Sequence, residues 1–106
     1  MDYVIRSGDV NDSQGILDTI ISAFGIQPDS PHMAYNRSLA FASPQQFRVM
    51  VSDGQIVACV HIGDTWIQVG SCEVLKGDVG HVSVRRNLQG QGLGTVLMED
   101  TMAWMA

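Results

Sequence analysis

The chain has 106 residues, is 45% hydrophobic and 16% charged, and carries a formal net charge of −5. That length accommodates one domain and not two, and 11 glycines with 3 prolines are too few for a low-complexity chain. Six basic residues against eleven acidic ones cannot build the broad cationic face a nucleic-acid binder needs, and no apolar run approaches the roughly 18 residues of a membrane span. The start, Met1 to Arg6, lacks the basic opening and apolar run of a signal peptide. Cys59 and Cys72 are too few for a disulfide framework and are expected as free thiols in the cytoplasm.

The first alternating stretch, Tyr3 to Arg6, predicts a short strand. Asn11, Asp12 and Ser13 are N-cap candidates for a helix over 13–24, in which Ile16, Leu17, Ile20, Ile21 and Phe24 share a face. Gly25 is placed as its stop. Pro28, Pro31 and Pro44 punctuate the next segment, with a short helix expected over His32 to Phe41. From Gln46 the pattern turns to strand. Phe47 to Val51 leads into Asp53-Gly54, a two-residue hairpin signal, and Ile56 to Val60 follows. Further strands are expected over Trp66 to Val69, around Glu73 to Leu75, and over Val79 to Val84, with a break at Gly70-Ser71. Gln91 to Met105 predicts a final helix with Leu93, Val96, Leu97, Thr101 and Trp104 on one face, widened by Met98, Met102 and Met105. Trp104 and these methionines are read as core. The fold class is α+β, or mixed α/β.

The chemistry concentrates between the Val82-Ser83-Val84 strand and this last helix. Gly90, Gly92 and Gly94 fall at every second position in Gln89-Gly90-Gln91-Gly92-Leu93-Gly94-Thr95. A glycine-rich turn at a helix N-terminus offers unpaired N–H groups backed by the helix dipole, and missing Cβ atoms let a phosphate approach. The stretch therefore reads as an anion site, most simply for a pyrophosphate. No lysine follows these glycines as a P-loop requires, and the third glycine of a dinucleotide fingerprint would fall at Thr95. The spacing that fits is Gln/Arg-x-x-Gly-x-Gly/Ala, here Gln89-x-x-Gly92-x-Gly94.

With its strand before and its helix after, this stretch resembles motif A of the GNAT superfamily of acyl-CoA N-acyltransferases. Residues 3–6, 13–24, 32–41 and 46–75 follow that family's order of strand, helix, variable helical segment and antiparallel meander, although only residues 79–98 carry a specific motif. Pro44 to Val49 and the approach to Val84 are similar to Eis-type acetyltransferases.

The resemblance implies acetyl-CoA as cosubstrate, without a metal, its pyrophosphate wrapped by the backbone amides of Gln89, Gly90, Gln91, Gly92, Leu93, Gly94 and Thr95. It implies that the pantetheine arm pairs with the backbone of Val82, Ser83 and Val84. An amine, on a small molecule or a peptide, would attack the thioester directly in a ternary complex, with a strand N–H holding the oxyanion. His81 and Glu73 are the candidates for acid and base. Arg85 and Arg86 receive no role. An acidic protein favours cationic amines as acceptors. His32, His61, Cys59 and Cys72 show no metal-ligand spacing.

In that family another strand, helix and hairpin follow motif A, so residues 1–106 are expected as a single partial domain ending after the motif A helix. Such a domain leaves a bare strand edge, which a second copy could cover as a homodimer. A gene fragment is another explanation, and a non-catalytic CoA-binding or interaction module is the alternative function. The loop physics also admits an unrelated phosphate-binding regulatory domain.

Overall fold

The computed structural model describes residues 2–27, 29–69 and 72–105, and the side chains at 32 and at 64–81 lie outside that description. Four strands, β1 (Val4–Ser7), β2 (Phe47–Ser52), β3 (Gln55–Val69) and β4 (Cys72–Val84), form one antiparallel sheet in the order β1-β2-β3-β4. Helices α1 (Ser13–Phe24) and α2 (Pro31–Ala42) precede β2, and α3 (Leu93–Met105) follows β4.

Local chemistry sets the boundaries. Asp9 caps a 3-10 turn at Val10–Asp12 in a capping box, with Asp12 returning to the Asp9 N–H at 2.8 Å. Gly25 takes the left-handed conformation that ends α1, its N–H bonding the Ile21 carbonyl at 2.8 Å. Ser30 caps α2, its hydroxyl accepting from Met33 N–H at 3.2 Å, and Pro31 opens the helix where no N–H is needed. Asp53 and Gly54 both have positive φ, as a two-residue hairpin turn requires.

One face of the sheet packs under α1 and α2 through Ile16, Leu17, Ile20, Ala40, Phe47, Val49, Ile56 and Cys59. The other face packs under α3 through Met50, Ala58, Val60, Leu93 and Leu97. Two bulges adjust the alternation. Val57 is the extra residue of β3 between the Met50–Ala58 and Val51–Ile56 pairs. In β4, Gly80 and His81 together lie opposite His61, between the Val60–Val82 and Ile62–Val79 pairs.

The three strands expected over 66–84 are instead two long ones, which pair from Ala58–Val84 to Val69–Cys72. A continuous ladder carries Gly63 and Gly77, which in isolation would weaken a strand. The last helix also departs from expectation. Leu93, Leu97 and Thr101 are buried, but Met102 and Trp104 are more than half exposed. Trp104 lies outside the core as a platform for Arg48, whose guanidinium carbon sits 4.9 Å from the ring centroid while the same group binds Asp100 at 3.1 Å.

Gly8 donates its N–H to the Phe47 carbonyl at 2.8 Å, and a Cβ there would collide with the Pro44 carbonyl oxygen. Gly8→Ala should cost about 1–3 kcal/mol, read as a lower urea midpoint with unchanged slope; a wild-type midpoint would show that the backbones do not approach this closely. The bidentate Arg6–Asp12 pair, at 2.6 and 3.0 Å, holds the Asp12 carboxyl below its ordinary pKa, chiefly by hydrogen bonding. Such a group stabilises the fold above the usual carboxylate range, and that contribution is lost as pH falls through the lowered pKa. Asp12→Asn should therefore be less stable than wild type at pH 6, with the gap closing as pH falls through the lowered pKa of Asp12, below the ordinary carboxylate range; a gap independent of pH would assign the effect to packing.

Candidate functional site

The glycine-rich loop is held from three sides. Where β4 ends, Arg85 bonds the Val57 carbonyl through its N–H at 3.0 Å and the Ile56 carbonyl through Nε at 2.7 Å. A 3-10 turn at Arg86–Leu88 then brings the chain against the end of α1. There Arg86 N–H bonds the Ser22 hydroxyl at 3.0 Å, and its Nε donates to the Ser22 carbonyl at 3.4 Å. Gln89 Nε2 donates to the Val84 carbonyl at 3.0 Å and to the Ala23 carbonyl at 3.5 Å. The loop thus supplies donors to carbonyls in the last turn of α1, which have no partner within their own helix.

This accounts physically for glutamine at the head of the motif: the position needs a side chain with two donors, a demand an arginine would also meet. It also shows what Arg85 and Arg86 do. Their Nε atoms hold the carbonyls of Ile56 and Ser22, so both residues brace the loop.

Beyond Gln89 the three glycines divide into two kinds. Gly90 and Gly92 have φ of 84° and 79°, and a Cβ on either would meet nothing within 4 Å, so the space before the loop is open. Gly94 has no such backbone requirement, and its Cβ would make ordinary contacts of 3.6 Å with Val82 and Val84. The first hydrogen bond of the helix joins Val96 N–H to the Gly92 carbonyl at 3.1 Å. The N–H groups of Leu93, Gly94 and Thr95 precede it, at the positive end of the helix dipole.

Two cavities flank the outer edge of β4, which among the described residues pairs with β3 on one side only. The first, about 520 Å³, lies between α1, β4 and α3, against Val82, Val84, Gly94, Thr95 and Met98. The second, about 720 Å³, lies between α1, α2 and the sheet, against Tyr35, Phe47, Cys59, His61 and Ser83. Phe24 lines both, which explains why a residue on the expected core face of α1 is 53% exposed. Alternation along β4 sends Val82 and Val84 to one cavity and Ser83 to the other.

The second cavity carries few groups that ionise. Burial pushes the Cys59 thiol up to about 12, against a smaller opposing effect of its hydrogen bond with Ser83, so it is no thiolate nucleophile at neutral pH. The His61 ring meets Phe47 edge to face at 5.0 Å, and burial lowers its pKa. Its Nε2 is buried without a hydrogen-bond partner. Among the described residues no cluster of metal-ligating side chains occurs, and no helix is long and apolar enough to cross a membrane.

The expected residues Val82, Ser83, Val84 and Gln89 to Thr95 converge on this junction. His81 and Glu73 belong to β4 by their backbone, and their side chains lie outside the described residues. Glu73 is nine positions from Val82 along the strand, roughly 30 Å at the rise of an extended chain. Sequence reasoning missed Ser22, Ala23, Phe24 and His61. A helix end four residues before a proline was the only local signal for the first three, and for His61 there was none.

In overall fold the chain is similar to a GNAT family acetyltransferase from Brucella melitensis in complex with acetyl-CoA, with 22% identity and a TM-score of 0.75 over 97% of this chain and 68% of that one. It is similar to a protein of unknown function from Enterococcus faecalis described as a probable N-acyltransferase, with 16% identity and a TM-score of 0.77 over 97% of this chain and 26% of that one. The loading GNATL domain of CurA from Lyngbya majuscula matches with 16% identity and a TM-score of 0.72 over 98% of this chain and 58% of that one. The chain therefore spans between a quarter and about two thirds of these relatives, and at such identities the likeness is one of fold. No curated protein matches in sequence. The profile of the family "Nodulation protein A (NodA)" matches residues 8–105, and these matches lend no support to the Eis-type likeness of Pro44 to Val49 and the approach to Val84. With nearly its whole length inside that one profile and a GNAT fold around the glycine-rich loop, the chain belongs to the nodulation protein A family, a family of N-acyltransferases.

Proposed function

We propose that the chain binds an acyl-CoA thioester in the cavity between α1, β4 and α3 and transfers its acyl group to an amine that enters from the cavity between α1 and α2. The observation that carries this reading is the free edge of β4, which runs between the two cavities and ends at the N-terminus of α3. A CoA molecule has a polyanionic end and an extended amide-bearing arm, and the site offers a match for each. The open space before Gly90 and Gly92, with the leading N–H groups of α3, suits the pyrophosphate. The unpaired edge at Val82 to Val84 suits the arm, which can hydrogen-bond as an added strand.

Bound there, CoA supplies an activated thioester; the chain's residues orient it and exclude water. The bulge at Gly80–His81 leaves backbone groups outside the regular ladder, where an N–H can stabilise the oxygen of the reacting carbonyl. His81 sits beside that position by its backbone; Glu73 lies far along the strand. The inert Cys59 agrees with direct transfer in a ternary complex and without an acyl-enzyme. Members of the matched family are chitooligosaccharide N-acyltransferases, which supports an amino sugar as acceptor. A second copy paired along β4 would occupy the same backbone groups the donor needs, so donor binding and such a homodimer compete.

Titration calorimetry with acetyl-CoA and an amine-acylation assay with glucosamine test this reading. Saturable binding followed by transfer is expected. Binding without transfer to any amine would leave the non-catalytic CoA-binding module, and no binding by the folded chain would refute the site. Within the loop, Gly92→Val should abolish acetyl-CoA binding, because a branched side chain at positive φ costs about 1–3 kcal/mol and forces the loop to rearrange. Gly94→Ala should raise stability by up to about 1 kcal/mol while retaining binding. Equal losses for both variants would mean that the loop backbone does not discriminate between the two positions.

A further inference from the structure

We propose that His61 is the group that accepts the proton of the incoming amine, and this assignment rests on the acyltransferase reading. His61 stands one strand in from the free edge of β4, directly opposite the Gly80–His81 bulge. It lines the cavity assigned to the acceptor together with Phe47, Cys59 and Ser83 from the sheet and Tyr35 and Asn36 from α2. The Phe47 ring fixes one side of the imidazole. Its Nε2, like Arg48 Nε and Thr101 Oγ1, is buried without a hydrogen-bond partner, and such a group in a folded protein calls for an explanation, of which an incoming ligand is one. Among the described residues, nothing that lines this cavity is a carboxylate or a cation.

Among the described residues, the other titratable groups lining the cavity are Cys59 and Tyr35. Cys59 stays a thiol, hydrogen-bonded with Ser83. Tyr35 stands on the exposed side of α2. Burial keeps His61 neutral at neutral pH, so with the ring proton on Nδ1 its Nε2 presents a lone pair.

Atoms and charges balance in the step. An alkylammonium gives one proton to His61 Nε2, and the freed nitrogen lone pair bonds the acyl carbonyl carbon. The carbon–sulfur bond breaks with its electron pair on sulfur. The surplus N–H proton passes to that sulfur through solvent, and His61 returns its own proton to solvent. The products are an amide, a free thiol and one proton. Because the base must be neutral, activity should fall as pH drops through the lowered pKa of His61, below the ordinary histidine range.

The test uses the full 106-residue chain, with acetyl-CoA as donor and glucosamine as acceptor. His61→Gln should lower kcat/KM at least about 100-fold, flatten the acidic limb of the pH profile, and leave acetyl-CoA affinity within about twofold of wild type, with circular dichroism confirming the fold. In parallel, nitrogen-15 spectra of the histidine rings should show the His61 Nε2 resonance moving as glucosamine is added to the wild-type chain. An acidic limb that persists in His61→Gln, or that vanishes in His81→Gln instead, overturns the assignment. So does a His61 resonance that glucosamine leaves unmoved. If the wild-type chain acylates no amine, the acyltransferase reading fails, and the ring titration still decides whether His61 faces the acceptor.

Discussion

The last turn of α1 ends in carbonyl groups that its own helix cannot satisfy, and the glycine-rich loop satisfies them. Arg86 takes the Ser22 carbonyl and Gln89 takes that of Ala23, while the same Gln89 amide closes on Val84 at the end of β4. This junction ties a helix, a strand and a loop that are distant in sequence. Because Phe24 comes directly after Ala23, the junction also sets the wall shared by the two cavities. A loop without these donors would leave the carbonyls to solvent and free the approach to α3. The motif thus carries a structural demand, at Arg86 and Gln89, directly beside the residues proposed to bind the donor.

The second organising feature is the pair of bulges. Each adds one residue to a strand and re-aims the side chains beyond it. At Val57 the shift lets β3 serve the α1 face with Ile56 and the α3 face with Ala58. At Gly80–His81 the shift lies on the edge strand, beside the stretch whose side chains divide between the cavities. The free edge is therefore shaped, irregular at Gly80–His81 and regular from Val82 to Val84. A bare regular edge would chiefly invite another strand.

The two faces of the sheet are unequal in chemistry. Arg48, only 8% exposed and with Nε unpartnered, spans from Ser7 to Asp100 and Trp104 beneath the end of α3. This polar seam occupies the end of the α3 face away from the loop, and the guanidinium Nη1 and Nη2 find partners in Ser7 and Asp100. The α1–α2 face carries instead a cavity whose lining, among the described residues, holds no carboxylate or cation, with the His61 Nε2 buried and unpartnered beside it. That asymmetry separates the polar contacts that hold α3 in place from the open space beneath α1 and α2.

Much of this was present in local pattern. The apolar spacing of Ile16, Leu17 and Ile20, the caps at Ser30 and Gly25, and the Asp53-Gly54 turn act within a few residues, so the sequence by itself determined them. The same holds for the Gln89-x-x-Gly92-x-Gly94 loop, because positive φ at Gly90 and Gly92 is a backbone property that only glycine meets without strain. Tertiary structure decided the rest. Whether Trp66 to Val84 made three short strands or two long ones depended on cross-strand pairing. Whether Trp104 was core or platform depended on Arg48, 56 positions away in sequence. The cavities, the clasp of Gln89 on α1 and the isolation of His61 Nε2 arise between segments that no local window contains. Periodicity reports which face of an element is apolar, and only packing reports which part of that face stays uncovered.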